Sequence, residues 1–119
     1  MGRVLIADDS ELVRLSLVRS ARERGLDIIE ASSVADAKVV DVGALSCALL
    51  DLDLGDGLGT EVAEVLRGAS VALPIAFFTS EREGPARTHA STFGPVFRKP
   101  DQLDAAITWV SRHARAADE

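Results

Sequence analysis

Apolar runs of three to five residues alternate with stretches of helical periodicity five times along the chain. The first run, Val4-Leu5-Ile6-Ala7, ends in the acidic pair Asp8-Asp9, and the pattern predicts a helix from Ser10 to Arg24 that stops at Gly25. The second, Ile28-Ile29 with Ala31, leads into Ser33-Val34-Ala35-Asp36, a capping-box-like start for a helix running to about Gly43. The third and most hydrophobic, Cys47-Ala48-Leu49-Leu50, ends at Asp51. A glycine-rich acidic loop, Asp53 to Gly59, and a helix from about Thr60 to Arg67 come next. Pro74-Ile75-Ala76-Phe77-Phe78 ends at Thr79-Ser80, and Val96-Phe97-Arg98 ends at Lys99-Pro100. A last helix, about Gln102 to Ala116, carries Leu103, Ile107, Val110 and Ala114 on one face. Apolar runs each followed by a crossover helix indicate a parallel sheet covered on both faces, a doubly wound α/β domain. Its functional crevice belongs at the carboxyl ends of the strands.

Composition narrows the picture. The 119 residues suit one domain, 1–119, with 47% hydrophobic and 27% charged residues, as in ordinary globular proteins. Thirteen basic against 19 acidic residues give a net charge of −6, which argues against a surface for nucleic acid or an anionic membrane. The single cysteine, Cys47, cannot form an internal disulfide, and no apolar run reaches the roughly 20 residues of a membrane span. With no signal-peptide pattern after Met1, the expected setting is soluble and cytoplasmic.

The polar residues that end the runs carry the chemistry. Asp8, Asp9, Asp51, Thr79 and Lys99 should converge on one edge of the sheet. Carboxylates held together repel unless a cation binds among them, and hard oxygen ligands in an open site suit Mg²⁺. A threonine hydroxyl and a lysine ammonium match the oxygens of a phosphoryl group. Together they describe phosphoryl transfer with an aspartate as acceptor.

The motifs Ile6-Ala7-Asp8-Asp9-Ser10, Leu49-Leu50-Asp51-Leu52-Asp53-Leu54, Phe78-Thr79-Ser80 and Arg98-Lys99-Pro100 stand in order at the strand ends. In them the chain resembles the receiver domains of two-component response regulators, chemotaxis-regulator-like, over essentially its whole length. The resemblance implies a flavodoxin-like sheet of five parallel strands in the order 2-1-3-4-5 with five flanking helices. It implies that Asp51 takes a phosphoryl group from a histidine kinase or histidine phosphotransfer protein, or from acetyl phosphate. Asp9 and Asp51 would touch Mg²⁺ directly, Asp8 through water, and Asp53 through its backbone carbonyl. Thr79 and Lys99 would each take a phosphoryl oxygen, and Lys99-Pro100 would be a cis peptide. Such a chain catalyses only its own phosphorylation and dephosphorylation. In the family, positions two past the acceptor and the threonine, here Asp53 and Glu81, tune loss of the phosphoryl group.

Three departures stand out. Val96 occupies the position, three before the lysine, where the family usually has Tyr or Phe as a switch coupled to the threonine. Phe97 is expected on the opposite face. Gly55 replaces the usual proline, which predicts a more mobile loop. Between Thr79 and Val96, Gly84, Pro85, Gly94 and Pro95 predict a fourth helix that is short or starts late.

The remaining residues read structurally. Asp53 and Asp56 are loop-turn acids before they are side-chain ligands, Cys47 is a buried strand residue, and His89 and His113 lie too far apart for a zinc site. Trp109, off the inward line of its helix, either seals the core edge or faces a partner. On the first helix Val13, Leu17 and Ala21 face inward. Leu12, Leu15 and Val18 form a second line facing elsewhere, either a core edge or, as the resemblance suggests for this helix, a docking stripe for the phosphodonor, with docking the favoured reading. No DNA-binding segment follows Glu119, so output is expected through an unidentified protein partner, the chain being stand-alone or part of a longer regulator. A pseudo-receiver, binding partners without phosphorylation, is the alternative that Val96 and the irregular fourth helix motivate. A phosphatase, suggested by the likeness of Asp51-Leu52-Asp53 to the Asp-x-Asp signature of haloacid-dehalogenase-type enzymes, is the weaker rival, because those enzymes carry the motif on the first strand, not the third, and usually need a longer chain and a cap.

Overall fold

The computed structural model describes residues 2–116; Met1 and 117–119, the ends of the expected domain, lie outside the described residues. Five strands, β1 (Arg3–Ala7), β2 (Asp27–Ala31), β3 (Leu45–Leu50), β4 (Ile75–Thr79) and β5 (Val96–Arg98), pair in parallel in the order β2-β1-β3-β4-β5. Helices α1 (Glu11–Glu23), α2 (Val34–Lys38), α3 (Gly59–Ala69), α4 (Pro85–Ser91) and α5 (Leu103–Ala116) make the crossovers. This is the expected doubly wound fold. The strand order reverses at β1, which places the crevice between the ends of β1 and β3.

Side chains alternate across the sheet and build two separate cores. Leu5, Leu50 and Phe77 pack with Val62 and Leu66 of α3 and with Val34 of α2. Ile6, Leu49 and Phe78 pack with Leu17 of α1 and with Ile107 and Val110 of α5. Val96 joins the first cluster and Phe97 the second, so the two do face opposite ways. Trp109 packs at the edge of the second core and stacks on His113, with ring centroids 4.2 Å apart. Cys47 is fully buried, and burial pushes its thiol up to about 12. Among the described residues no helix is long and apolar enough to cross a membrane.

Three expectations need correction. Helix α2 ends at Lys38, not near Gly43, because Val39 and Val40 are β-branched and Asp41 caps a new turn. The Asp41 side chain accepts from the Gly43 amide and starts a 3-10 turn, Val42–Ala44. The capping box is only half made: Ser33 Oγ accepts from the Asp36 amide at 3.0 Å, but the Asp36 carboxylate takes the Ser32 hydroxyl instead. Finally, Val18 is buried in the core while Leu12 and Leu15 are 77% and 52% exposed. A three-residue step lags the helical period by about 60°, so the third member of that line swings round to the inward face. Helix α4, as expected, is short and starts at Pro85, directly after Gly84 in the left-handed region at φ 129°.

Candidate functional site

Asp8 follows the last residue of β1, and its position is fixed by the sheet: its amide donates to the Ala31 carbonyl at 3.1 Å. Its Oδ1 accepts from the Ser10 amide at 2.9 Å, closing the turn that begins α1. Asp51 follows β3 in the same way, with its amide on the Ala7 carbonyl at 2.9 Å. Because β1 and β3 are neighbours, carboxylate oxygens of Asp8, Asp9 and Asp51 all lie within 4.8 Å of one another. Asp8 and Asp51 are buried and Asp9 is exposed, so the cluster opens to solvent on one side.

Lys99 neutralises part of this charge. Its Nζ donates to Asp8 Oδ2 at 2.8 Å and to Asp51 Oδ2 at 3.0 Å, and it lies 5.6 Å above the centre of the Phe78 ring. The reach is set by β5: the Lys99 amide donates to the Thr79 carbonyl at 2.8 Å, and Lys99-Pro100 is cis as expected. Burial alone would lower the Lys99 ammonium, but its contacts with Asp8 and Asp51 outweigh this and hold it above its ordinary value. Asp51 is the perturbed acid. Burial, and then the neighbouring Asp8 charge, push its carboxyl up to about 6 against the pull of Lys99. Thr79 is buried at the end of β4, its Oγ1 accepting from the Glu81 amide at 3.1 Å. Its own hydroxyl proton is left to donate.

All five strand-end residues named from sequence therefore meet at one edge of the sheet. Asp53 sits in the loop beyond Asp51, its amide 3.4 Å from Asp51 Oδ1 and its own Oδ1 accepting from the Gly55 amide at 3.0 Å. Gly55 stands in the left-handed region at φ 83°, which proline cannot adopt. Hard oxygen donors with excess negative charge fit a small divalent cation, and this is the one candidate cluster among the described residues.

Three residues escaped the sequence reading. Asp56, treated only as a loop acid, accepts from the amides of Val34 at 2.8 Å and Ala35 at 3.1 Å, which ties the Asp51 loop to α2. Those bonds hold its carboxyl below the usual carboxylate range. Gly59 opens α3 directly against the Asp51 carbonyl, where a Cβ has no room. Arg14 donates from Nη1 to the Asp8 carbonyl at 2.8 Å. Each acts on or through backbone, which residue types alone do not display.

The response regulator receiver domain family matches residues 4–106. Among solved structures, the non-phosphorylated HemR receiver domain of Leptospira biflexa is similar at 23% identity and TM-score 0.84, covering 96% of this chain and 94% of that one. A CheY-like receiver domain from Methanospirillum hungatei JF-1 is similar at 17% identity and TM-score 0.83, with 99% and 97% covered. A two-component response regulator from Clostridium difficile gives 21%, 0.82, and all of both chains. No curated protein matches. At these identities the structural likeness speaks for the fold.

Proposed function

The chain belongs to the response regulator receiver domain family, and on that footing we propose that it accepts a phosphoryl group on Asp51, with Mg²⁺, from a histidine kinase or histidine phosphotransfer protein. The observation that carries this reading is the meeting of Asp8, Asp9, Asp51 and Lys99 at the ends of β1, β3 and β5. Asp8, Asp9 and Asp51, with the Asp53 carbonyl, would hold the cation. Bound there, Mg²⁺ supplies positive charge to the phosphoryl oxygens.

The chain's own groups do the rest. An Asp51 carboxylate oxygen bonds to phosphorus as the donor's P–N bond breaks, the electron pair staying on the imidazole nitrogen. Asp51 must be ionised to attack, and with its carboxyl pushed up to about 6 it is mostly so at neutral pH. Lys99 trades its Asp51 contact for a phosphoryl oxygen, and Thr79 donates its free hydroxyl proton to another.

The donor would dock along α1. Exposed Leu12 borders a small apolar cavity of about 190 Å³ that also touches Phe78, Pro100, Leu103 and the Lys99 stem, beside the acceptor. Exposed Leu15 extends the apolar strip. Output passes to a protein partner in the cytoplasm, and the only chemistry catalysed is gain and loss of the chain's own phosphoryl group.

Intact mass after incubation with acetyl phosphate and Mg²⁺ tests the proposal. One added phosphoryl group, absent without Mg²⁺ and absent in Asp51→Asn, is expected. A folded chain that gains none, and that also fails to bind beryllofluoride, overturns it.

A further inference from the structure

We propose that Arg14 is the positioning residue of the acid cluster: it fixes the Asp8-Asp9 peptide and so aims the Asp9 carboxylate. Asp9 is exposed, and its carboxylate accepts no hydrogen bond among the described residues. Its direction therefore depends on the backbone from which it hangs. That backbone is held at three points: the Asp8 amide on Ala31, Asp8 Oδ1 on the Ser10 amide, and the Asp8 carbonyl on Arg14 Nη1. Only the third touches the peptide joining Asp8 to Asp9. The Asp8 Oδ1–Ser10 amide bond still closes the turn around that peptide, so losing the Arg14 contact loosens its plane without releasing it.

The guanidinium is itself braced. Arg14 Nε donates to Glu30 Oε1 at 3.3 Å, and the Arg14 side chain is only 16% exposed. A rigid fork with one tine on a carboxylate leaves the other with a single direction, which an ammonium on a flexible stem does not reproduce. Glu30, whose other oxygen lies 3.9 Å from the Arg22 guanidinium, offsets part of the Arg14 charge and so lessens its repulsion of a cation at the acids. Two effects thus oppose each other when Arg14 is lost. A looser turn weakens cation binding; a lost positive charge strengthens it. The short carbonyl contact and the Glu30 pairing point to the turn as the larger effect. Outer-shell partners of this kind are worth roughly 10–100-fold in metal affinity.

The inference rests on the metal site proposed above, and the experiment separates the two. Arg14→Met keeps the stem and removes the fork; Arg14→Lys restores a single donor. Amide NMR signals of Asp9 and Asp51 are followed during MgCl₂ titration of each variant, and hydrogen exchange of the Ser10 amide is compared with that of Leu49 without metal. Arg14→Met should raise the Mg²⁺ dissociation constant about tenfold and speed Ser10 exchange relative to Leu49, with Arg14→Lys falling between. Unchanged or tighter binding in Arg14→Met, where the unmodified chain binds Mg²⁺, overturns the positioning role alone. An unmodified chain showing no Mg²⁺-dependent shift removes the metal site and this inference with it.

Discussion

Replacing Asp51 by asparagine should stabilise the metal-free protein, although it destroys the proposed acceptor. In the folded chain the Asp51 carboxyl is pushed up to about 6 from an ordinary 3.8, mainly by burial and then by Asp8. The folded state therefore binds more protons than the unfolded state between those values, and this group's contribution to stability falls as pH rises through the window. Above it, about two units at roughly 1.4 kcal/mol each make ionised Asp51 cost the fold about 3 kcal/mol. Asparagine carries no charge to bury, and the rise to about 6 is already net of the pull of Lys99, so the weaker Lys99 contact subtracts nothing further; imperfect amide packing can only reduce the gain. Asp51→Asn should thus be more stable by about 1–3 kcal/mol at pH 7.5, and the gap should close as pH falls from about 6 to 4. Urea denaturation in EDTA across that range measures it; a midpoint shift of order 1 M is expected at pH 7.5. Added Mg²⁺ should narrow the gap by stabilising the unmodified chain more than the variant, which lacks one of the proposed carboxylate ligands. A variant no more stable at pH 7.5, or a gap that does not change with pH, would refute the reasoning.

Other substitutions probe the surroundings of the site. Gly59→Ala drives a Cβ into the Asp51 carbonyl and should cost about 1–3 kcal/mol by overpacking while slowing acetyl phosphate labelling; urea midpoints and intact mass report both. Asp56→Ala should speed amide exchange at Val34 and Ala35 while that of Leu49 changes little. Since the Asp56 carboxyl is held below its ordinary range, the same loosening should appear in the unmodified chain as pH falls through that lowered value. Cys47, buried and with its thiol pushed up to about 12, should resist thiol reagents at pH 8 until urea unfolds the chain.

The strand ends were legible because apolar runs buried on both faces stop abruptly at polar residues. Their alternation with helices indicated a doubly wound parallel sheet, while the strand order came from the resemblance to receiver domains. Lengths and phases were less legible. The end of α2 turned on how two valines compete with an Asp41 cap, and the inward swing of Val18 on the drift of three-residue steps around a helix. The residues that hold the acids in place were invisible for another reason. Arg14 and Asp56 bond backbone groups, Asp8 carbonyl and Val34 amide, which every sequence possesses at every position.

The sheet divides the interior into two compartments that share no side chain. A void opened at Leu66, under α3, cannot be filled from the side where Ile107 of α5 packs, because five strands stand between. Truncations at Leu66 and Ile107 should therefore add to within about 0.5 kcal/mol, as if made in two different proteins. Inheritance can exploit that partition: the face under α2, α3 and α4 can be recut for a new partner while the face under α1 and α5 keeps its packing. Only the carboxyl edge, where Asp8, Asp51, Thr79 and Lys99 meet, answers to both.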